Sequence, residues 1–430
     1  SYGTQYLQTY AAAHPDRVGA MVLDGVVDLR TDALSFSMQQ SQAFSDVLTT
    51  VLAGCDADAS CADDAPGSAL AEYDALAARL AEGPVEYDYP LPDGTADRRE
   101  FTLEDLRAAA GGSMSEITTR MTFQQAINAT TRDNVVPLAR ITLALQGGEP
   151  GGGAFVADPA FSDALYYAVQ CADYDVVPAG RTGREQLDVW LAAVDAAGTD
   201  ELRLGDGVYG DLPCLFWPDG GVVPTRPEPA ADPPYPLLLL SADTDPNTPV
   251  RNAEQVFART PGAALVVQLG GPHVIFDRGE SCVDGAVLGV LTAGRLPEPR
   301  RITCPGAVAE PYRPLPPPTP AGYVTPEATV RAVLSGALDN PLYAGWAGPD
   351  HLVVGCDEGG TARYLIDQDG TVHVWLEDCA WTDRVPVDGY ISVQDGGTGS
   401  ARATLVLPFA ELSAEWDGTI TGTFRGAPVR

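Results

Sequence analysis

Three residues of this chain have the types and the order that acyl transfer requires: Ser1, Asp245 and His273. A serine hydroxyl is a weak nucleophile until a histidine takes its proton, and the histidine needs a carboxylate that orients its ring. Nucleophile, acid and base occur in this order along the chain in one large group of hydrolases. The chemistry passes through a covalent acyl intermediate and needs no cofactor and no metal ion.

Ser1 stands at the start of a pattern that predicts a sharp turn and a helix. The residues Ser1-Tyr2-Gly3 lead into an apolar helix that ends before Pro15, and residues 19–27 form an apolar run of buried-strand length. A nucleophile in such a turn has the backbone N–H of the next residue, here Tyr2, as an oxyanion donor. Because the sequence begins on the serine, we expect an N-terminal truncation that removes the lead-in strand and the second donor, and a fragment that is inactive alone.

Asp245 and His273 each follow an apolar run that predicts a buried strand. The runs are 237–240 and 263–269, and residues 250–259 between them have a helical pattern. Alternating strands and helices predict a parallel sheet with right-handed crossovers, so side chains after the strands meet at one edge. Asp243 shares the turn with Asp245, but Asp245 precedes a proline and lies nearer the next helix, which favours Asp245. The other three histidines fall on a surface helix or in the C-terminal β region.

The fold class predicted is α/β: the C-terminal part of an α/β-hydrolase core with a large helical cap, plus a small C-terminal antiparallel β domain. Apolar residues recur at helical spacing between 31 and 230, and β-like runs with Asp-Gly turns follow a proline-rich segment. The predicted parts are 1–30 and 231–310 for the core, 31–230 for the mostly helical cap, 311–321 for the linker and 322–430 for the β-rich accessory domain.

The composition excludes several classes of protein. The net charge is −33 and every basic side chain is an arginine, which argues against nucleic acid and anionic membranes as partners and excludes Schiff-base lysine chemistry. No apolar run approaches the ~20 residues of a membrane span. We expect a monomer that has neither nucleic acid nor a membrane as its partner.

Eight cysteines indicate disulfides and export from the cytoplasm. An even number of widely spread cysteines without a C-x-x-C pair, together with only four histidines, argues against a zinc site. Their distribution suggests four sequential pairs, each enclosing one local segment, although eight free buried thiols remain the alternative. The cysteines are Cys55, Cys61, Cys171, Cys214, Cys282, Cys304, Cys356 and Cys379.

Several motifs together resemble the secreted tripeptidyl aminopeptidase group of α/β-hydrolases, relatives of the prolyl aminopeptidases. They are Ser-Tyr-Gly-Thr at 1, His-Pro-Asp-Arg-Val at 14, Met-Val-Leu-Asp-Gly at 21, Cys-Ala-Asp at 171, Asp-Pro-Asn-Thr-Pro at 245 and Gly-Arg-Leu-Pro at 294. The resemblance covers about residues 1–305. It implies a serine exopeptidase that removes short peptides from free N-termini, with Ser1, Asp245 and His273 as its triad. It also implies the disulfides Cys55–Cys61, Cys171–Cys214 and Cys282–Cys304.

Three alternatives remain open from the sequence. A secreted esterase or lipase would use the same triad. A free N-terminal nucleophile at Ser1 would use its own amine as base, and would need stacked antiparallel sheets directly after it. A non-catalytic wall- or glycan-binding module would use the C-terminal β domain, whose aromatic residues form either a sugar platform or a core: Trp346, Trp375, Trp381 and Trp416.

Overall fold

The structure is a computed structural model that describes residues 2–65, 67–148, 151, 162–218, 232–344, 346, 351–394 and 401–430. Ser1 lies outside these residues. Contacts divide the chain into two compact units, each built from separate segments. The first unit comprises residues 1–54, 113–120 and 161–310, and the second comprises 55–112, 121–160 and 311–430. The domain boundaries predicted from the sequence stay a prediction.

The described residues form helices and strands in the following order. The helices are α1 Tyr2–Ala13, α2 Ala33–Ala57, α3 Ala59–Asp64, α4 Ala69–Glu82, α5 Leu103–Ser113, α6 Ile117–Thr130, α7 Val136–Leu145, α8 Asp163–Asp173, α9 Gly183–Ala197, α10 Val250–Arg259, α11 Ser281–Ala293, α12 Pro326–Leu338 and α13 Pro341–Ala344. The strands are β1 Met21–Asp24, β2 Val85–Pro90, β3 Ala96–Phe101, β4 Leu237–Ala242, β5 Ala264–Gln268, β6 Arg301–Cys304, β7 His351–Gly355, β8 Thr361–Ile366, β9 Val372–Cys379, β10 Val387–Val393, β11 Ala401–Leu407, β12 Ala410–Ala414, β13 Ile420–Phe424 and β14 Ala427–Val429.

A parallel four-stranded sheet, in the order β1-β4-β5-β6, forms the centre of the first unit. The leucines of β4 alternate between its two faces. Leu237 and Leu239 pack with α1 and α10, whereas Leu238 and Leu240 pack with α11. A strand buried on both faces must be apolar at every position, which is why this run carries no polar alternation. The parallel sheet predicted from the alternation of strands and helices is confirmed, and β6 extends it beyond the predicted strands.

The sheet that follows α1 bears on one of the alternatives. It is parallel and has helices against both faces. A free N-terminal nucleophile would need stacked antiparallel sheets at this point, so the structure does not support that alternative.

A second core of the first unit lies among α8, α9 and the start of α2. Trp190 is fully buried at its centre, and its indole N–H donates to the Val208 carbonyl at 3.0 Å. α9 begins with a capping box between Thr182 and Glu185, which satisfies two N–H groups of its first turn. This cluster gives the helices of the first unit a core separate from the parallel sheet.

The second unit contains an eight-stranded antiparallel sheet, β7 to β14 in sequence order. Alternate residues of its strands pack with α12 in one core, as Val374, Ile391 and Leu405 do. The Asp-Gly turns are confirmed, since Gly370 and Gly418 have φ of 84° and 83°, a region that glycine adopts without strain. A hairpin of β2 and β3, together with helices, completes this unit.

All four disulfides join consecutive cysteines: Cys55–Cys61, Cys171–Cys214, Cys282–Cys304 and Cys356–Cys379. The prediction of four sequential pairs is confirmed, and the alternative of free thiols is wrong. Four disulfides fit an extracellular protein. Within the described part of the chain, no helix has both the length and the apolar character needed to cross a membrane.

Candidate active site

The structure brings Asp245 and His273 into contact at the carboxyl edge of the parallel sheet. Asp245 lies three residues after β4, and His273 lies five residues after β5. The His273 Nδ1 is 2.9 Å from Asp245 Oδ2 and 3.1 Å from Oδ1. A carboxylate only accepts, so Nδ1 carries the proton and Nε2 remains as the basic nitrogen. The Asp245 side chain is 1% exposed and the His273 side chain is 23% exposed. The acid is therefore buried, whereas the base is accessible from the surface.

Asp245 is fixed by its own loop. Its Oδ1 accepts from the backbone N–H groups of Asn247 and Thr248 at 2.9 and 3.0 Å, and its Oδ2 accepts from the Thr248 hydroxyl at 2.5 Å. Aspartate followed by proline favours this turn, because the carboxylate bonds to the backbone two and three residues on. The Asp-Pro-Asn-Thr segment therefore orients the carboxylate before His273 contributes anything.

Asp243, the competing acid in the same turn, has a different contact. Its Oδ1 accepts from the backbone N–H of Gly270 at 2.6 Å. Asp243 therefore fastens the loop that carries His273, whereas Asp245 contacts the imidazole itself.

Gly25, directly after β1, leaves the space that the pair needs. Its φ is +68°, and a Cβ at this position would lie 2.9 Å from both His273 Cε1 and Thr248 Oγ1. Any other residue would be strained in this conformation and would also push the imidazole away. The Asp-Gly pair that closes β1 thus has a second role at the site.

One segment of the first unit, residues 113–120, contacts both loops of the site. The Ser115 carbonyl accepts from the His273 N–H at 2.8 Å, and its hydroxyl accepts from the Asn247 side-chain amide at 2.8 Å. Arg120 is fully buried in the same segment. The segment therefore connects the acid loop to the histidine loop through two separate residues.

Arg120 uses its guanidinium to bind backbone carbonyls from four places. Nε donates to Met114 O at 2.8 Å, Nη1 to Gly271 O at 2.7 Å and Val308 O at 2.9 Å, and Nη2 to Thr244 O at 2.6 Å. Burial lowers the pKa of Arg120 to about 10, although nearby carboxylates, Asp245 first among them, oppose the shift. The side chain stays charged at neutral pH and holds Thr244 next to Gly271, one from each loop.

Asp24, the last residue of β1, binds the loop on the far side of His273. Its Oδ2 accepts from the N–H groups of Ile275 and Phe276 at 2.9 and 2.8 Å. Burial raises the pKa of this carboxyl, and the two backbone bonds oppose the shift. Between His273 and these amides lies Val274, whose φ is +68°. A β-branched residue in this region is strained.

The remaining predicted site residues are Ser1 and Tyr2. Ser1 lies outside the described residues, so its role stays a prediction. Tyr2 is the first residue of α1, where backbone N–H groups have no acceptor within the helix. Its hydroxyl donates to the Asp173 carboxylate, and this bond raises the pKa of Tyr2. Tyr2 as an oxyanion donor stays a prediction.

The aromatic residues of the C-terminal sheet are mostly engaged by the protein itself. Trp346 and Trp381 pack against its core. Trp375 lies on the other face, with the Arg363 guanidinium 4.7 Å from its ring centroid and the Tyr390 ring 5.5 Å away. These contacts are those of cross-strand pairs in a sheet.

Sequence reasoning did not find Arg120, Thr248 or Asp24. Arg120 is the single charged residue of α6. From the sequence alone, an arginine in a helix indicates only a face that is exposed to solvent. Thr248 had a usable signal, because a threonine three residues after an aspartate in a turn can bond to its carboxylate. Asp24 appeared only within the Met-Val-Leu-Asp-Gly motif.

Comparison with known proteins shows that this chain is similar to hydrolases. Residues 204–304, which contain Asp245 and His273, match the family described as TAP-like protein, an α/β-hydrolase family. The chain is 27% identical over 316 residues to serine protease Hip1 of Mycobacterium tuberculosis H37Rv. The aligned region covers 69% of this chain and 55% of that protein. It is 26% identical over 313 residues to carboxylesterase B of the same strain. This aligned region covers 67% of this chain and 52% of that protein. The chain thus spans about half the length of the curated relatives that it matches.

Proposed function

We propose that this protein is an extracellular serine hydrolase that removes short peptides from free N-termini through a Ser1–His273–Asp245 triad. The observation that carries the proposal is the buried Asp245 carboxylate on His273 Nδ1, at the carboxyl ends of neighbouring parallel strands. The names of the two relatives, a serine protease and a carboxylesterase, support serine hydrolase chemistry.

The proposed reaction has two acyl-transfer steps. His273 Nε2 takes the Ser1 hydroxyl proton while Ser1 Oγ bonds to the scissile carbonyl carbon, and the Tyr2 N–H stabilises the oxyanion. The imidazolium then gives its proton to the leaving amine as the C–N bond breaks. A water molecule, deprotonated by the same nitrogen, attacks the acyl-enzyme and releases the peptide acid and the free serine.

Asp245 acts by orientation and by charge. The carboxylate fixes the tautomer with the proton on Nδ1 and stabilises the imidazolium that forms during each step. Its four hydrogen-bond contacts, from Asn247, from Thr248 twice and from His273, leave it one geometry. The base is therefore oriented before a substrate arrives, which reduces reorganisation in the transition state.

The first experiment compares two aspartates of one turn, and it and every later activity assay use the full-length gene product. Asp245→Asn keeps the shape of the side chain but favours the wrong tautomer, so we expect kcat on a tripeptidyl p-nitroanilide to fall about 10⁴-fold with KM little changed. Asp243→Asn is the matched control, because its amide oxygen still accepts from Gly270 and we expect less than a tenfold loss. Equal losses in the two variants would contradict the assignment of the acid.

A second comparison separates the peptidase from the esterase alternative. A tripeptidyl p-nitroanilide with a free amine, the same compound acetylated and a p-nitrophenyl ester are assayed side by side. The proposed exopeptidase cleaves the free amine form and loses activity on the acetylated one. Turnover of the ester alone would replace the peptidase proposal by an esterase, and cleavage of both amides alike would remove the requirement for a free N-terminus.

A further inference from the structure

The loop after His273 is held from two sides around a strained residue. On one side the His273 N–H donates to the Ser115 carbonyl at 2.8 Å. On the other side Asp24 Oδ2 accepts from Ile275 and Phe276. Between these attachments Val274 has φ of +68°, a conformation that a β-branched residue keeps only when its surroundings impose it.

All hydrogen bonds that the Asp24 carboxylate makes to described residues go to this loop. Its Oδ2 takes both amide protons, and its Oδ1 is buried without a hydrogen-bond partner among the described residues. Hydrogen bonds from backbone amides to a carboxylate are roughly twice as strong as neutral ones. The side chain of Ile275 is also fully buried, so the residues that Asp24 binds cannot shift without loss of packing.

We propose that Asp24 is a positioning residue for His273, which it holds toward Asp245 by keeping Val274 in the left-handed conformation. Without the two bonds, Val274 relaxes toward the extended region. The residue that moves with this rotation is its neighbour, His273. The inference rests on the proposed function, since it assigns Asp24 a part in orienting the catalytic base.

The test combines changes at both residues. Asp24→Ala removes both acceptor bonds, and we expect kcat to fall on the order of 100-fold, as misplacement of a reacting group by about 1 Å does, while KM stays unchanged. Asp24→Asn keeps an oxygen acceptor and should retain most of the activity. Val274→Gly alone should stay close to the parent protein, because glycine adopts a positive φ without strain while Asp24 still holds the loop.

The double variant Asp24→Ala with Val274→Gly is decisive. Glycine at position 274 is not strained at a positive φ. We therefore expect kcat of the double variant to be at least about tenfold higher than kcat of Asp24→Ala. A purely structural role for Asp24 predicts no recovery of kcat, because the loss caused by Asp24→Ala would then not depend on the residue at position 274. If Asp24→Ala does not fold, Asp24→Ser replaces it, since its shorter side chain cannot reach both amides.

A readout that is independent of turnover accompanies the kinetics. The ¹⁵N chemical shifts of the His273 ring report its hydrogen bond to Asp245, and they should change in Asp24→Ala and return in the double variant. A full-length gene product that cleaves no acyl substrate contradicts the proposed function and removes the premise of this inference. An active parent protein with unchanged kcat and ring shifts in Asp24→Ala, or with no recovery in the double variant, contradicts this inference alone.

Discussion

Replacement of Arg120 by methionine should destabilise the first unit more than any surface change. The guanidinium donates to the backbone carbonyls of Met114, Thr244, Gly271 and Val308 from a fully buried position. A buried acceptor that loses its donor costs about 1–3 kcal/mol. Four carbonyls at the low end of this range give a loss of about 4 kcal/mol in the free energy of unfolding. A loss of this size is typical of mutations that break a buried hydrogen-bond network.

Arg120→Lys provides an intermediate step. An ammonium group keeps the charge but has three donors on one nitrogen, so it cannot serve four carbonyls spread around a planar fork. We expect about half of the loss, about 2 kcal/mol. Because Thr244 and Gly271 belong to the acid and histidine loops, we also expect kcat to fall by up to about 100-fold in this variant, with KM less affected.

Hydrogen exchange followed by mass spectrometry measures the loss of stability in the parallel sheet itself. Peptides that cover β4 and β5 report the opening free energy of the parallel sheet separately from the C-terminal sheet. Arg184→Met is the matched control, because the Arg184 side chain is 77% exposed and lies 3.9 Å from Asp188, a pair expected to contribute less than about 1 kcal/mol. An Arg120→Met protein whose β4 and β5 open within about 1 kcal/mol of the parent value would refute the reasoning.

Three further changes test other contacts. Thr248→Val removes the hydroxyl that donates to Asp245 at 2.5 Å, and we expect kcat in a p-nitroanilide assay to fall about 10-fold to 100-fold. Burial raises the pKa of Asp24, so the stability that this carboxyl contributes is complete below its usual pKa range and is lost as pH rises through the raised value. Urea titrations should therefore show Asp24→Asn gaining stability relative to the parent protein as pH rises above the usual range of an aspartate. Asp357→Ala leaves the buried Arg140 guanidinium, 2.6 Å from Asp357 in the parent, without its partner, and we expect denaturant unfolding of the second unit to show a loss of about 3–5 kcal/mol.

Two of these changes have a control variant that shares their chemistry, and the third has an outcome that would contradict it. Thr248→Ser keeps the hydroxyl and should keep the activity, so an equal loss in both variants would contradict the role assigned to the hydroxyl. For Asp24→Asn, a difference between the two proteins that stays flat with pH would contradict the titration. Asp383→Ala removes a carboxylate that is 73% exposed, and a loss as large as that in Asp357→Ala would contradict the argument from burial.

The sequence predicted the elements that carry a clear period and missed those that do not. The long helices and the buried strands β4 and β5 follow from apolar spacing, and Asp245 and His273 follow from their places after these strands. β3 is charged on both faces and β6 has four residues, so neither shows a strand pattern. Arg120 could not be predicted, because its partners come from distant parts of the chain and backbone carbonyls leave no mark in a sequence.

The register of the parallel sheet also governs when the sheet can form. Met21 of β1 pairs with Leu237 of β4, and more than two hundred residues separate them in the chain, whereas each strand of the C-terminal sheet pairs with the next one along the sequence. A ribosome adds about 5–20 residues per second, so β1 waits roughly 10–40 s for its partner. Long-range pairing is also slow in its own right. The apolar strand β1 is therefore exposed to aggregation or to a chaperone for longer during synthesis than the strands of the C-terminal sheet.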